Sequence, residues 1–382
     1  MSRDKYIVIG LIVMLFNSLY QYSWNALEPL IQEVLKSGIV HVEVAFSLFT
    51  LFSTTFQIVG GHIADSRGPK KIGLVSSILS SLGFLGSSYS TSILWFYFFW
   101  SIGSIGEGIL YGIASNLAIK WYKERRGLAT GIVSLGFGLG ATIANPLILK
   151  ANSFREVGLA IGLVELAILP VLLYLSDYPS RDVYGMRVRE VLSRKDWWLI
   201  YFSFVLSSVP LLVVSSSLTA IGKGLPFNDL ALLITIFPLL SGASRPILGL
   251  VSDKIGRVKA SLLTNTAILL GSSLLFVGAT PVAVVLIGFF GGSLITLYFS
   301  LIGDFFGTRF STSNNAVLYT GKAISGVLGS VFFSYLLTVS IGVAGLYVTV
   351  SSLIGTMFLV LFTLRRTGSG MSKSHREKYE NI

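Results

Sequence analysis

No cysteine occurs in the 382 residues, which excludes a disulfide framework, a zinc finger and thiol chemistry. Histidine is almost as scarce: His41 and His62 stand apart from other metal-ligand residues, so no metal site is expected. No Gly-x-x-x-x-Gly-Lys-Ser/Thr run is present, which leaves ATP drive unsupported and no cofactor expected. Charged residues make up only 12% of the chain, about half of the ~25% usual for soluble proteins. Hydrophobic residues make up 53%, and the mean hydropathy is +0.76. Apolar stretches of bilayer-crossing length (~20 residues) recur throughout, so the lipid bilayer is the expected solvent. The net charge of +11 lies in short loops rather than on one basic face, which argues against nucleic acid.

The apolar pattern predicts twelve membrane spans, near 6–30, 42–64, 72–90, 92–119, 127–149, 155–176, 197–221, 228–251, 260–279, 281–303, 313–337 and 341–364. Arg3 and Lys5 ahead of an apolar run resemble a signal peptide, but no small-residue cleavage site follows. The run is read as a retained first span. Lysines and arginines test the count. Most of the 29 fall at the termini or in even-numbered loops, including Arg67, Lys70 and Lys71, then Lys120, Lys123, Arg125 and Arg126, then Arg181 to Lys195, and Arg309. Lys36, Lys150, Arg155 and Lys223 fall on the other side, and Arg245 and Lys322 inside spans. The positive-inside rule then places both termini in the cytoplasm of a multi-pass plasma-membrane protein.

The chain repeats itself. Gly61-His-Ile-Ala-Asp65-Ser-Arg67-Gly68-Pro-Lys70-Lys71 and Gly249-Leu-Val-Ser-Asp253-Lys254-Ile-Gly256-Arg257-Val-Lys259 share Gly-x-x-x-Asp-x-x-Gly followed by basic residues. They occupy the same place in each six-span half, the trace of two parallel repeats. Glycine permits a tight turn. The aspartate can accept hydrogen bonds from amides at a neighbouring helix N-terminus, a contact able to form and break at a gate. Gly61, Asp65, Gly68, Lys70, Gly249, Asp253, Gly256 and Arg257 are the candidate gating residues. The division expected is a six-helix bundle over 1–176, a cytoplasmic linker over 177–196, a second bundle over 197–365 and a tail over 366–382.

The doubled motif resembles the loop signature of the major facilitator superfamily, which implies an all-α fold of two pseudo-symmetric bundles around a cavity opened alternately to each side. A narrower resemblance follows. Lys120-Trp121 through Arg125-Arg126-Gly127-Leu-Ala-Thr-Gly131, continuing to Gly136–Gly140, is similar to the fourth loop and fifth span of the oxalate/formate antiporter family, with a related pattern in monocarboxylate transporters. Ser244-Arg245-Pro246 and Asp304-Phe-Phe-Gly307 with Tyr319-Thr-Gly-Lys322 resemble that family's eighth and eleventh spans.

Charges near the bilayer centre cost at least ~2.5 kcal/mol each and usually face a cavity or partner. Arg245 precedes Asp253 by eight residues, so it lies about 12 Å up its helix at ~1.5 Å per residue. Lys322, twelve residues past Phe310, lies about 18 Å in by the same rise. Two midplane cations without obvious acidic neighbours in their half suit an anion: arginine grips a carboxylate through paired hydrogen bonds and lysine adds a point charge. The resemblance implies that these two residues hold substrate carboxylates.

Tyr20, Trp24, Gln57, Tyr111 and Tyr319 are expected to wall the cavity beside them, although Tyr and Trp also serve as interface belts. Glu107 departs from the family pattern. It reads equally as a proton carrier, as a resting partner of a cation, or as a structural ion pair. Glu28 lies near the outer end of the first span, and Glu165 is expected to be structural. The expectation is a monomeric carrier exchanging small carboxylates, with proton-coupled monocarboxylate uptake through Glu107 as the rival. An enzyme would need a nucleophile–base or metal set inside the membrane, and no histidine or cysteine lies there.

Overall fold

The computed structural model describes residues 3–122, 126–179, 186–307 and 310–368. Lys123, Arg125, Arg181 and Arg309 of the positive-inside pattern lie outside the described residues, as does the side chain of Asp65. All regular structure among the described residues is helical. Ten helices are long and apolar enough to cross a membrane, and eleven if a bent pair counts as one.

That pair forms the first span, α1 (Asp4–Gln21) and α2 (Trp24–Leu35), which meet at 48°. The break has a definite cause. In a straight helix the Tyr22 carbonyl would accept from the amide of Ala26. Here it accepts from Asn145 Nδ2 at 3.1 Å, and the amides of Ala26 and Leu27 both donate to the Ser23 carbonyl at 3.0 Å. A side chain inserted into the ladder kinks a helix. The third expected span, α4 (Pro69–Ser88), has 20 residues but falls short in apolarity because of its serines. Ser77, Ser81 and Ser88 donate back to the carbonyls of Leu74, Ser77 and Phe84, so these hydroxyls need no outside partner.

The remaining helices follow the expected spans: α3 (Ile39–Arg67), α5 (Ile93–Trp121), α6 (Arg126–Ile148) and α7 (Phe154–Tyr174). After the short α8 (Val188–Leu192) come α9 (Lys195–Ile221), α10 (Phe227–Ile255), α11 (Arg257–Phe276) and α12 (Thr280–Phe306). The eleventh span is segmented into α13 (Ser311–Tyr319), α14 (Gly321–Val327), a π-helical turn (Leu328–Phe332) and α15 (Phe333–Val339). The last helix is α16 (Ile341–Gly368). Large apolar side chains such as Leu94, Leu147, Val171, Leu250 and Leu364 are exposed, as a bilayer-facing surface requires and a water-facing one does not.

Helices α1 and α3–α7 pack on one another, as do α9–α12 with α16. The two groups meet along α6 against α10 and along the eleventh span against α3. Small residues permit both approaches. A Cβ on Gly138 of α6 would strike Gly242 of α10, and one on Gly326 of α14 would overlap the Thr50 hydroxyl of α3. In a bilayer, helix association rests on such close backbone packing.

The repeated turns have matching geometry. Gly68 has φ 84° and ψ 157°, and Gly256 has φ 91° and ψ 146°, a region essentially reserved for glycine. Gly68→Ala and Gly256→Ala are each expected to destabilise the fold by ~1–3 kcal/mol. Gly249→Ala, in ordinary helix with open space around it, is expected to be neutral. Thermal unfolding in detergent distinguishes them: the first two lower the melting temperature, and equal curves for all three would contradict the strain argument.

Candidate functional site

The segmented eleventh span delivers Lys322 two residues past the break at Thr320, in the first turn of α14. The continuous α10 carries Arg245. Both side chains are buried and line one cavity with Gln21, Tyr22, Tyr111 and Tyr319. The cavity has a volume of about 10 Å³. That is about one water's worth, so the side chains close down on the site.

Neither cation makes an ion pair among the described residues. Arg245 Nε donates to the Gly292 carbonyl at 3.2 Å, and the guanidinium is also in hydrogen-bonding reach of the Tyr22 and Tyr111 hydroxyls. Its guanidinium carbon lies 5.2 Å from the Phe137 ring centre, and Tyr22, Tyr111 and Tyr319 act on it electrostatically. Lys322 Nζ donates to the Tyr319 hydroxyl at 3.0 Å and lies 5.2 Å from the ring centres of Phe49 and Tyr319. Lys322 thus keeps two of its three donors, and the partners of Arg245 are a carbonyl and neutral hydroxyls, so no carboxylate among the described residues is paired to either head. Glu107 is the acid that acts on Lys322. It is buried, its backbone carbonyl accepts from Asn17 Nδ2 at 3.1 Å, and it forms no ion pair with Lys322.

On the side of the Gly68 and Gly256 turns, Tyr111 of α5 stacks on Tyr319 of α13 with ring centres 5.6 Å apart and planes at 16°. This contact joins the two helix groups directly below the cations. On the opposite side the closure is thicker. Asn25 Nδ2 donates to the carbonyls of Val214 and Ser215, both at 2.8 Å, and its Oδ1 accepts from the Leu218 amide at 2.6 Å. Thr219 Oγ1 donates to the Asn25 carbonyl at 2.7 Å. The hydroxyls of Ser47 and Ser330 pair at 2.6 Å, and those of Tyr22 and Ser241 at 2.5 Å.

The structure brings Arg245, Lys322, Tyr111 and Tyr319 together. It does not bring Tyr20, Trp24 or Gln57 to the cavity, a correction to the sequence expectation. Tyr20 donates to the Ser80 carbonyl at 2.6 Å and packs on Phe49, Phe84 and Trp100. Trp24 packs on Phe46 and Trp100, and its Nε1 donates to Glu43 Oε1 at 2.9 Å. Gln57 lies in the α3–α5 contact against Gly112. For Tyr20 and Trp24 the bend between α1 and α2 is the reason: it breaks the four-residue spacing that would stack them on one face of a straight helix, and Gln21 and Tyr22 line the cavity instead. Tyr22 was legible only through its neighbours, and Glu43 carried no signal beyond being an acid near the start of an apolar run.

Among the gating residues, Asp253 pairs with Arg257, whose Nε also lies 3.6 Å from Asp304. The aspartate is thus held by a cation of its own helix group rather than by a helix N-terminus across the interface. Lys70 Nζ sits 3.8 Å from the ring centre of Tyr174. Gly61 and Gly249 have open space where a Cβ would stand. Glu165 is fully buried between α4 and α7, accepting from Ser80 Oγ at 3.1 Å, away from the cations.

Comparison with known proteins fits this arrangement. The family model described as Major Facilitator Superfamily matches residues 8–227 and 197–381. An uncharacterized 38 kDa protein encoded in a 23S RNA operon of Thermoproteus tenax is 43% identical over 94% of this chain and 95% of its own. The oxalate:formate antiporter of Oxalobacter formigenes is 30% identical over 86% of this chain and 83% of its own. A probable sulfoacetate transporter of Cupriavidus necator is 25% identical over 88% of each chain. Helices built for a bilayer, paired glycine turns and a match along nearly the whole length lead to one conclusion: the chain belongs to the Major Facilitator Superfamily and is a multi-pass membrane transporter.

Proposed function

We propose that this protein is a secondary carrier of small carboxylates, working by anion exchange, with the substrate held between Arg245 and Lys322. The observation that carries the reading is the pair of buried cations on one small cavity with no carboxylate paired to either among the described residues. A dicarboxylate supplies two negative ends for two positive heads. Of the substrates named for two relatives, oxalate is a dicarboxylate, sulfoacetate a dianion with one carboxylate and one sulfonate, and formate a small monocarboxylate. Residues 1–176 and 197–365 act as two halves, joined by the linker 177–196, that rock about the site; both termini lie in the cytoplasm and the working unit is a monomer. An unloaded carrier would have to reorient two uncompensated charges through low dielectric, which is costly. Bound anion removes that cost, so exchange is favoured over one-way movement.

The rival reading is proton-coupled monocarboxylate uptake through Glu107. It is favoured by one observation: Glu107 is buried and is the acid acting on Lys322 from across the helix groups. Uptake of labelled oxalate, formate, lactate and pyruvate into proteoliposomes, at one fixed external pH with the internal pH either equal or higher, separates the two. Exchange predicts uptake indifferent to the gradient and retained in Glu107→Gln. Gradient-driven uptake lost in Glu107→Gln establishes symport, and no carboxylate uptake in either condition removes the substrate class.

A further inference from the structure

The opposite-side closure hides an acid that the anion site does not use. Glu43 of α3 is fully buried, and Oε1 accepts from the Trp24 indole at 2.9 Å. Its second oxygen, Oε2, is buried without a hydrogen-bond partner. Glu28 of α2 is also buried, and Gln32 donates to it. The charges and dipoles around Glu43 come from a short list. Glu28 and Trp24 face it from α2 and Ser216 from α9. Lys223, in the turn after α9, acts on Glu28. From α5, Tyr97 donates to the carbonyl of His41 on the exposed rim. Glu33, Lys36 and His41 are exposed to the outside. On the eleventh-span side, α3 meets Ser330 and the Gly326 backbone, which carry no charge, and Lys322 lies against Phe49 of α3, six residues further along than Glu43 and without an ion pair to it. No cation pairs with Glu43 among the described residues.

An ionised carboxylate held only by the Trp24 indole and the Ser216 hydroxyl, with a second acid nearby and no cation paired to it, is poorly placed in a buried membrane site. A carboxylic acid is not: its proton removes the charge while Oε1 still accepts from Trp24. The wall that buries Glu43 is the one tied by Asn25 to α9. Separating α2 from α9 breaks that tie and admits water to Glu43, where the ionised form is stable. We infer that Glu43 is a proton-binding site of the carrier: it takes up a proton when the opposite-side closure forms and releases it when the closure opens. The only covalent change is the Glu43 O–H bond, made with a proton from external water and returned to it. This rests on the alternating-access reading above, but not on the identity of the substrate.

The absence of cysteine supplies the test, because any thiol introduced is the sole one in the chain. Ser23→Cys places it at a buried position whose hydroxyl has no hydrogen-bond partner. Thr91→Cys, exposed between α4 and α5, reports the reagent's own pH dependence. In proteoliposomes, the rate at which a membrane-impermeant maleimide labels the Ser23→Cys protein, divided by its rate with the Thr91→Cys protein, reads the open fraction. The ratio is expected to rise with external pH, by up to about tenfold per pH unit, the limit for one linked proton. With Glu43→Gln added to both, the ratio is expected to be flat and low. Glu28→Gln is expected to keep a rise. A ratio independent of pH, no labelling of the Ser23→Cys protein at any pH, or a rise that survives Glu43→Gln overturns the inference. Oxalate uptake in the same vesicles tests the substrate separately, so failure of one is not mistaken for failure of the other.

Discussion

Lys322→Gln and Arg245→Gln are each expected to abolish oxalate exchange while leaving the protein folded. Each cation contributes charge-assisted hydrogen bonds to the anion, worth ~1.5–3 kcal/mol apiece, or about 10- to 150-fold in affinity at ~1.4 kcal/mol per decade. Loss of one head also leaves the other to carry a dianion alone, so the transport defect exceeds the affinity loss of a single bond. Both side chains are buried and lack ion-pair partners among the described residues, so neutralising either removes no structural salt bridge. Melting temperatures in detergent should therefore match wild type or rise. Lys322→Arg retains charge but must fit a larger head into a cavity of about 10 Å³, about one water's worth. It is expected to transport weakly. Near-normal exchange in either glutamine variant would remove that residue from the site.

Gly326→Val is expected to block transport by a different route. The glycine lets α14 approach α3 so closely that any Cβ would overlap the Thr50 hydroxyl, and the Ser47–Ser330 hydrogen bond lies one turn further along the same contact. A branched side chain there holds the two helix groups apart on the opposite side, where overpacking costs ~1–3 kcal/mol or more. The variant should still bind substrate from that side but fail to carry it across. Exchange at background level with retained equilibrium binding of labelled oxalate is the expected pair of results. Normal exchange would show that this contact does not form during the cycle. Thr50→Ala on the valine background relieves part of the overlap and should restore part of the activity.

Most of the architecture was legible because a bilayer imposes simple rules. A span needs a long apolar run, and the basic residues sort to one side of it. The glycine turns at Gly68 and Gly256 were legible because a repeated motif marks a backbone demand that only glycine meets. Arg245 and Lys322 stood out because charge inside an apolar run is costly wherever it occurs. Departures from a regular helix were not legible. Nothing local to Tyr22 announces that Asn145, far along the chain, takes its carbonyl and bends the first span. The face expected from straight spacing therefore placed Tyr20 and Trp24 at the cavity, while Gln21 and Tyr22 line it instead. α4 shows the reverse: its serines depress its apolarity, yet the hydroxyls of Ser77, Ser81 and Ser88 are satisfied by the helix's own carbonyls. Glu43 escaped notice because burial is a tertiary property, and an acid four residues into a helix reads as a solvated one.

The central claim, that two buried cations hold a small dicarboxylate and make the carrier an exchanger, is tested most directly by counterflow. Wild-type protein is placed in liposomes loaded with unlabelled oxalate or with buffer alone, and entry of labelled oxalate is followed. The account predicts rapid entry into loaded vesicles and near-background entry into buffer-filled ones. Equal entry into both would contradict it.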